Sequence, residues 1–277
     1  MNQTIKVALV TGASSGIGQA IATELRKQGI RVYAASRSMP DYFDQEQRSE
    51  SEDMLRTVRM DVNDTLAVEK TLAKIIAAEG RLDYFVQSAG NGIAGSVEDT
   101  QIDEVRYQME TNFFGAVTPL PIILKQMRQQ GSGLIVQVGS MAGVLSIPYQ
   151  AYYSASKAAI ASLNLALADE VRPWGIRCML VQPGDTRTGF TQARVMTRSA
   201  LESDYAASCR RSIDRMAADE QNGTTPEISA RKVVRKMLKR RPPHVMSIGL
   251  FYQFAGLASR LLPLRLVRWV VRMLYAG

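Results

Sequence analysis

What this chain can fold into is constrained most by its N-terminal segment. Ile5 to Val10 is a short apolar run with the character of a buried strand, and Thr11-Gly12-Ala13-Ser14-Ser15-Gly16-Ile17-Gly18 follows it directly. A helical apolar pattern then runs through Ile21 and Leu25 to Gly29. A glycine-rich turn between a strand and a helix presents backbone N–H groups and a helix N-terminus to a phosphate. Gly12 permits the tight turn, Gly16 lets a pyrophosphate approach the backbone, and Gly18 lets the helix pack on the strand. Strand-like runs recur at Arg31 to Ser36, Thr57 to Val62, Arg81 to Val86, Gly133 to Val138, Gly175 to Val181 and Val245 to Gly249, with helical stretches between them. Met39 to Met54 reads as a loop or short helix. Such alternation implies right-handed crossovers and a doubly wound α/β fold: one parallel sheet of about seven strands with helices on both faces. Ligands then belong at the carboxyl ends of the strands.

Composition narrows the chemistry. The single His244 excludes a histidine-based metal site and a conventional Ser-His-Asp triad, and two cysteines, Cys178 and Cys209, make no disulfide framework or metal cluster. The expectation is no metal, and a reducing, cytoplasmic setting. The N-terminus enters a strand at once, so no signal peptide is expected, and no apolar run reaches the ~20 residues of a membrane span. The net charge of +8, with a visibly basic C-terminal fifth, suits an anionic partner, a cofactor phosphate or a membrane surface as well as plain solubility. The basic residues are dispersed, with no aromatic platform, so no nucleic acid is expected.

The second strand ends in Ser36-Arg37. Dinucleotide enzymes that use NAD usually place an acidic residue here, on the ribose 2′-hydroxyl. A carboxylate would repel a 2′-phosphate, whereas a guanidinium and a hydroxyl would hold it, so the expected cofactor is NADP(H).

Tyr153 and Lys157 are four apart on one helical pattern and share a face. A free tyrosine has a pKa near ~10, and bringing it to neutrality takes about 4 kcal/mol in favour of the phenolate. An adjacent ammonium supplies part of that. Tyr152 lacks the four-residue spacing to Lys157. Ser140 stands thirteen residues before Tyr153, just after a strand-like run. Together with Thr-Gly-x-x-x-Gly-x-Gly at Thr11 to Gly18, this arrangement resembles the short-chain dehydrogenase/reductase family and its Rossmann fold, over about Ile5 to Phe190.

The resemblance implies a site. Tyr153 would be the proton donor and acceptor, Lys157 would lower its pKa and hold the nicotinamide ribose, and Ser140 would bind the substrate oxygen. Asn112, in Asn112-Phe113-Phe114-Gly115, would bend its helix and hold a water that reaches the lysine. Cofactor contacts would come from Gly12, Ser14, Ser15, Gly16, Ile17 and Gly18, from Ser36 and Arg37, from Asp61 and Val62 at the adenine, and from Ala89 and Gly90 beside a ribose. Tyr153 and Lys157 would join them, as would Pro183, Gly184, Thr186 and Thr188. Gln87-Ser88 departs from the family's Asn-Asn, which puts the local strand-to-strand hydrogen bonds in doubt rather than the chemistry. Thr186 replaces a common aliphatic residue, a change that a backbone contact survives.

The whole chain, 1–277, is expected to be one domain: a 4–190 core, a 190–225 substrate lid and a 249–277 amphipathic extension. In that extension Leu266, Val267, Val270 and Leu274 form an apolar stripe, with Arg265, Arg268 and Arg272 on another face. It suits either an interfacial helix on anionic lipid or a helix packed over the substrate pocket or a partner subunit. The expected substrate is an apolar secondary alcohol or ketone (a steroid, retinoid or long-chain acyl compound), in keeping with some likeness to the hydroxysteroid/retinol branch. The alternative is a 3-oxoacyl carrier-protein reductase, with Arg187, Arg194 and Arg198 meeting the acidic carrier. An alternative of another class is a non-catalytic NADP-binding scaffold. The family also implies a homo-oligomer, dimer or tetramer.

Overall fold

A computed structural model describes residues 5–44 and 54–275. In chain order the strands are β1 (Val7–Thr11), β2 (Arg31–Ser36), β3 (Leu55–Arg59), β4 (Tyr84–Gln87), β5 (Ile93–Ala94), β6 (Gly133–Val138), β7 (Ile176–Pro183), β8 (Val195–Met196) and β9 (Val245–Ile248). The helices are α1 (Gly16–Lys27), α2 (Thr65–Glu79), α3 (Ile102–Met109), α4 (Gly115–Val117), α5 (Leu120–Gln130), α6 (Ala151–Val171), α7 (Phe190–Ala193), α8 (Ala206–Gln221), α9 (Pro226–Met237), α10 (Leu250–Leu261) and α11 (Leu264–Tyr275). Between Met39 and Met54 a single 3-10 turn, Tyr42–Asp44, is seen, and residues 45–53 lie outside the described residues.

Seven strands form one parallel sheet in the order β3-β2-β1-β4-β6-β7-β9. The Rossmann-type winding expected from the alternation is therefore present. Within β1 the faces alternate. Val7 and Leu9 point to one core with Leu72 and Ile75 of α2, Ile123 and Met127 of α5 and Leu167 of α6. Ala8 and Val10 point to the other, with Ile21 and Leu25 of α1 and Val233 and Met237 of α9. Burying both faces explains why the strands read as continuous apolar runs, and each large side chain so buried contributes about 1.5–3 kcal/mol. Asp64 starts α2 by accepting a hydrogen bond from the Ala67 N–H at 3.0 Å.

The order in which strands are added reverses between β1 and β4, so the crevice beyond their carboxyl ends is where a ligand fits. Two features stand out there, the second at the place where Asn112 was expected to bend its helix. The stretch after β4 contains β5, which pairs in parallel with β8 from the far side of α6 in sequence. The long helical stretch through Asn112 is broken by one π-helical turn, Glu110–Phe114, between α3 and α4.

Candidate active site

The turn from β1 to α1 closes hard against the end of β4. Gly12 has φ +65°, and a Cβ there would lie 2.6 Å from the Ala89 nitrogen; one on Gly18 would lie 2.4 Å from the Gly12 oxygen. No L side chain fits either place, which leaves bare backbone facing the crevice. Thr11 Oγ1 accepts from the Ser88 and Ala89 N–H groups at 3.2 and 3.4 Å. The β1 and β4 ends are thus stitched despite the departure at Gln87-Ser88. Gln87 is buried and donates from Nε2 to the Ala89 oxygen at 2.7 Å.

One cavity of about 620 Å³ gathers nearly every expected site residue. Gly12, Ser14, Ser15, Gly16, Ile17 and Gly18 line it from the first turn, Ser36 and Arg37 from the end of β2, and Asp61 and Val62 from beyond β3. Ala89 and Gly90 follow β4, and Pro183, Gly184, Thr186 and Thr188 follow β7. A Cβ on Gly16 would meet Thr188 at 3.4 Å, so the β7 turn comes down on the β1 turn. The glycine cradle, the N-terminus of α1 and the exposed Arg37 fit a phosphorylated dinucleotide. Ser36 is at the buried end of its strand, within 3.4 Å of the Ser38 hydroxyl.

Ser140, Tyr153 and Lys157 line the same cavity. Ser140 follows β6 and accepts the Ala142 N–H at 3.1 Å, which starts a 3-10 turn and leaves the serine on the cavity wall with Tyr153. Burial pushes the Tyr153 phenol up to about 12; the Ser140 hydrogen bond opposes this, Glu220 adds to it, and Arg194 opposes it. Burial pushes Lys157 down to about 8. Its ammonium donates to the Val138 oxygen at 3.0 Å and stands 5.9 Å from the centre of the Tyr153 ring. Lys157 is not among the groups that shift the Tyr153 phenol here: both groups are desolvated, and the ammonium is turned to a backbone carbonyl. A phenol that keeps its proton at neutral pH is suited to giving it to a developing alkoxide.

Asn112, of the expected site residues, does not line the cavity. It is fully buried in the π turn, accepting the Asn91 N–H at 2.8 Å and donating to the Asn91 oxygen and to Ser156 Oγ, each at 3.0 Å. Ser156 in turn donates to the Tyr153 oxygen at 2.7 Å. A Cβ on Gly90 would lie 3.2 Å from Asn112 Oδ1 and 3.4 Å from Lys157 Nζ, so Gly90 is wedged between the two side chains.

Several residues around the site were not foreseen. Phe190, at the start of α7, sets its ring 5.5 Å from that of Tyr153. Gln150 is buried at the cavity wall with its Nε2 unpartnered. Arg194 is buried in an ion pair with Glu220, and Arg198 is paired with Asp103 at 2.6 Å, so two of the three arginines expected to meet an acidic carrier are already engaged. Tyr252 of α10 donates to Asp185, and burial raises that carboxyl. Residues of α10 and α11, including Ala258, Val267 and Val271, line the same cavity. Polar pairings this distant in sequence carry no local signal; for α10 and α11 the signal was the apolar stripe.

Comparison with known proteins bears on this geometry. The family model for short chain dehydrogenase matches residues 6–199. A curated relative, the 3-ketodihydrosphingosine reductase of Bacteroides thetaiotaomicron, is 36% identical over 273 residues and covers 98% of each chain. Among solved structures, a short-chain dehydrogenase from Streptomyces avermitilis superposes with a TM-score of 0.81 at 29% identity, over 99% of this chain and 97% of the other. The structure of ElxO with NADP bound matches with a TM-score of 0.72 at 26% identity, over 90% and 99%. Sequence, sheet order and cavity agree: the chain belongs to the short-chain dehydrogenase/reductase family of oxidoreductases.

Proposed function

We propose that the chain is an NADPH-dependent reductase of a ketone carried on a long apolar chain. The observation that carries this reading is the continuity of the cavity from Ser140, Tyr153 and Lys157 to the apolar inner faces of α10 and α11. The full-length likeness to a 3-ketodihydrosphingosine reductase favours a long-chain ketone over a steroid or retinoid. The NADP-bound relative supports the cofactor preference inferred from Ser36 and Arg37.

NADPH, when bound, supplies the hydride. Tyr153 gives its phenolic proton to the developing alkoxide. Ser140 hydrogen-bonds the same oxygen and stabilises its charge. Lys157 holds the ribose hydroxyls and offsets charge on Tyr153 as the proton leaves. Asn112 is a positioning residue: its amide ties Asn91, at the cavity wall, to Ser156 beneath Tyr153. Segment 190–225 is the lid, and Phe190 is its contact with the catalytic ring. A carrier-protein reductase is disfavoured by the pairing of Arg194 and Arg198, although Arg187 stays exposed. The same reading includes a cytoplasmic homo-oligomer and a peripheral membrane contact, since substrates of this class reside in bilayers.

The test is reduction of 3-ketodihydrosphingosine by the purified chain, following loss of NADPH absorbance. Turnover is expected with NADPH, and Tyr153→Phe is expected to lower kcat about 10²–10⁴-fold while NADPH binding persists. Full turnover by Tyr153→Phe overturns the mechanism, and no turnover of this or any shorter ketone brings the scaffold reading forward.

A further inference from the structure

The pair α10 and α11 has two apolar faces, and only one of them is used by the cavity. On α10, Phe251, Ala255 and Ala258 follow one another at helical spacing and line the cavity, as does Leu262 just past its end, with Phe251 and Leu262 also partly open to solvent. Leu250, Phe254, Leu257 and Leu261, displaced by one residue from that row, form a second stripe, and each is more than half exposed. On α11 the inward row is Val267, Val271 and Tyr275. Trp269 and Met273 lie outside it, again more than half exposed. Soluble proteins rarely leave so many large apolar side chains together in water.

Charge selects the occupant. Arg260, Arg265, Arg268 and Arg272 are exposed on the same two helices, and the sequence contains no Asp or Glu after Glu227. A second copy docked through a two-fold axis would bring these arginines against their own equivalents. The phosphates of an anionic bilayer would meet them with opposite charge. Each helix has 12 residues, about 18 Å of length, which suits lying in an interface and is too short to cross a hydrocarbon core of about 30 Å. Among the described residues no helix is long and apolar enough to cross a membrane.

We propose that α10 and α11 form an interfacial anchor that lies on an anionic bilayer. Leu250, Phe254, Leu257 and Leu261 enter the acyl boundary with Trp269, and the arginines meet the headgroups. Because the neighbouring rows of the same helices wall the cavity, a lipid chain passes from bilayer to Tyr153 between them without crossing water. The passage rests on the long-chain ketone reading above; the anchoring does not.

The test is flotation of the full chain with vesicles of phosphatidylcholine and phosphatidylglycerol, and with phosphatidylcholine alone. Binding to the anionic vesicles is expected, weakening with salt. Arg265→Gln/Arg268→Gln/Arg272→Gln is expected to lose about a hundredfold in affinity, each arginine being worth roughly fivefold. Phe254→Glu/Leu261→Glu, at exposed positions that leave the core intact, should abolish flotation. Trp269 fluorescence, isolated by Trp174→Phe, should shift to the blue on vesicles. Failure of the parent chain to float overturns the anchor, as does unchanged flotation of the glutamate variant. So does a dimer dispersed by the same glutamates without vesicle binding, since a second copy then covers the face. A short water-soluble 3-oxo ester separates the two claims. Turnover without flotation sinks the anchor and leaves the reductase, whereas flotation without turnover does the reverse.

Discussion

Two buried groups one helical turn apart set the pH behaviour of the site. Burial holds Lys157 down to about 8, so it carries its charge below that pH and loses it above. Tyr153, pushed up to about 12, keeps its proton throughout the working range. The charge on Lys157 matters most as the phenolic proton leaves, so ketone reduction at saturating substrate should fall as pH rises through about 8. A kcat profile flat to about pH 10, the ordinary lysine range, would show that the lysine stays charged and would sink this account. Stability should move the other way. Between about 8 and the ordinary lysine value the unfolded chain binds a proton at Lys157 that the folded chain does not, so this group favours folding as pH rises, until the buried Cys178 thiol, pushed up to about 12, offsets it above its ordinary 9.0. At the other end of the cavity Arg37 is exposed and lines the wall beside Ser36. Arg37→Glu should weaken NADPH about ten- to hundredfold, the worth of a charged hydrogen bond, and improve NADH. Titration by nicotinamide fluorescence checks both directions, and unaltered NADPH affinity would remove Arg37 from the 2′-phosphate. The positions of these residues were readable in advance because their constraints are local. Gly12 and Gly18 have no room for a side chain, and Tyr153 and Lys157 need only one helical turn. The tyrosine's acidity was not readable: it depends on burial and on Glu220 and Arg194, which come from another segment.

At the scale of elements, the π turn at Glu110–Phe114 is where helix geometry yields to the site. Asn112 is unfavourable inside a helix, yet here its amide replaces backbone partners for Asn91 and joins α6 through Ser156. Asn112→Ala should leave the Asn91 N–H buried without that partner, at about 1–3 kcal/mol. For a chain of this size that is a fall in Tm of roughly 2–4 °C per kcal/mol. It should also lower kcat more than it raises KM, because Asn91 and Gly90 hold the wall beside Lys157. Thermal melting with steady-state kinetics checks this, and a stable variant with full kcat would remove Asn112 from the positioning role. An asparagine within a helical pattern marked this place in the sequence, although its partners did not show. The β5–β8 ladder was invisible for a clearer reason. Two residues paired with two others, Ile93 with Val195 and Ala94 with Met196, make no periodic pattern, and the pairing spans the whole catalytic helix. The central strands announced themselves because they are buried on both faces, whereas the edge strands β3 and β9 are only partly buried.

Across the whole molecule the cavity changes character along its length, from glycine backbone and arginine at the phosphate end, through Tyr153, to aliphatic side chains of α10 and α11. This gradient joins the part of the chain matched by the family model to a C-terminal pair beyond residue 199. The amphipathic stripe of α11 fitted two placements on sequence alone, over the pocket or on lipid. Periodicity says that a face is apolar without saying what covers it. The structure puts Val267 and Val271 at the cavity, so the first placement holds for that row. Tyr252 fastens α10 to Asp185, next to the β7 turn that faces Gly16, and so the apolar end is tethered to the cofactor end. If the far end measures substrate length, blocking it should affect long substrates alone. Ala258 lines the cavity one turn before Leu262, far along the chain from Tyr153, and Ala258→Phe would fill that end while leaving Ser140, Tyr153 and Lys157 untouched. The expected result is a rise of about tenfold or more in KM for a long-chain 3-ketone, the scale on which a pocket discriminates by a few methylenes. The kcat and KM of a short 3-oxo ester should stay as in the parent. Equal losses on both substrates would mean that the substitution disturbs the catalytic residues. No loss on either would mean that the substrate chain leaves the cavity before reaching α10, and that the length of the pocket serves another purpose.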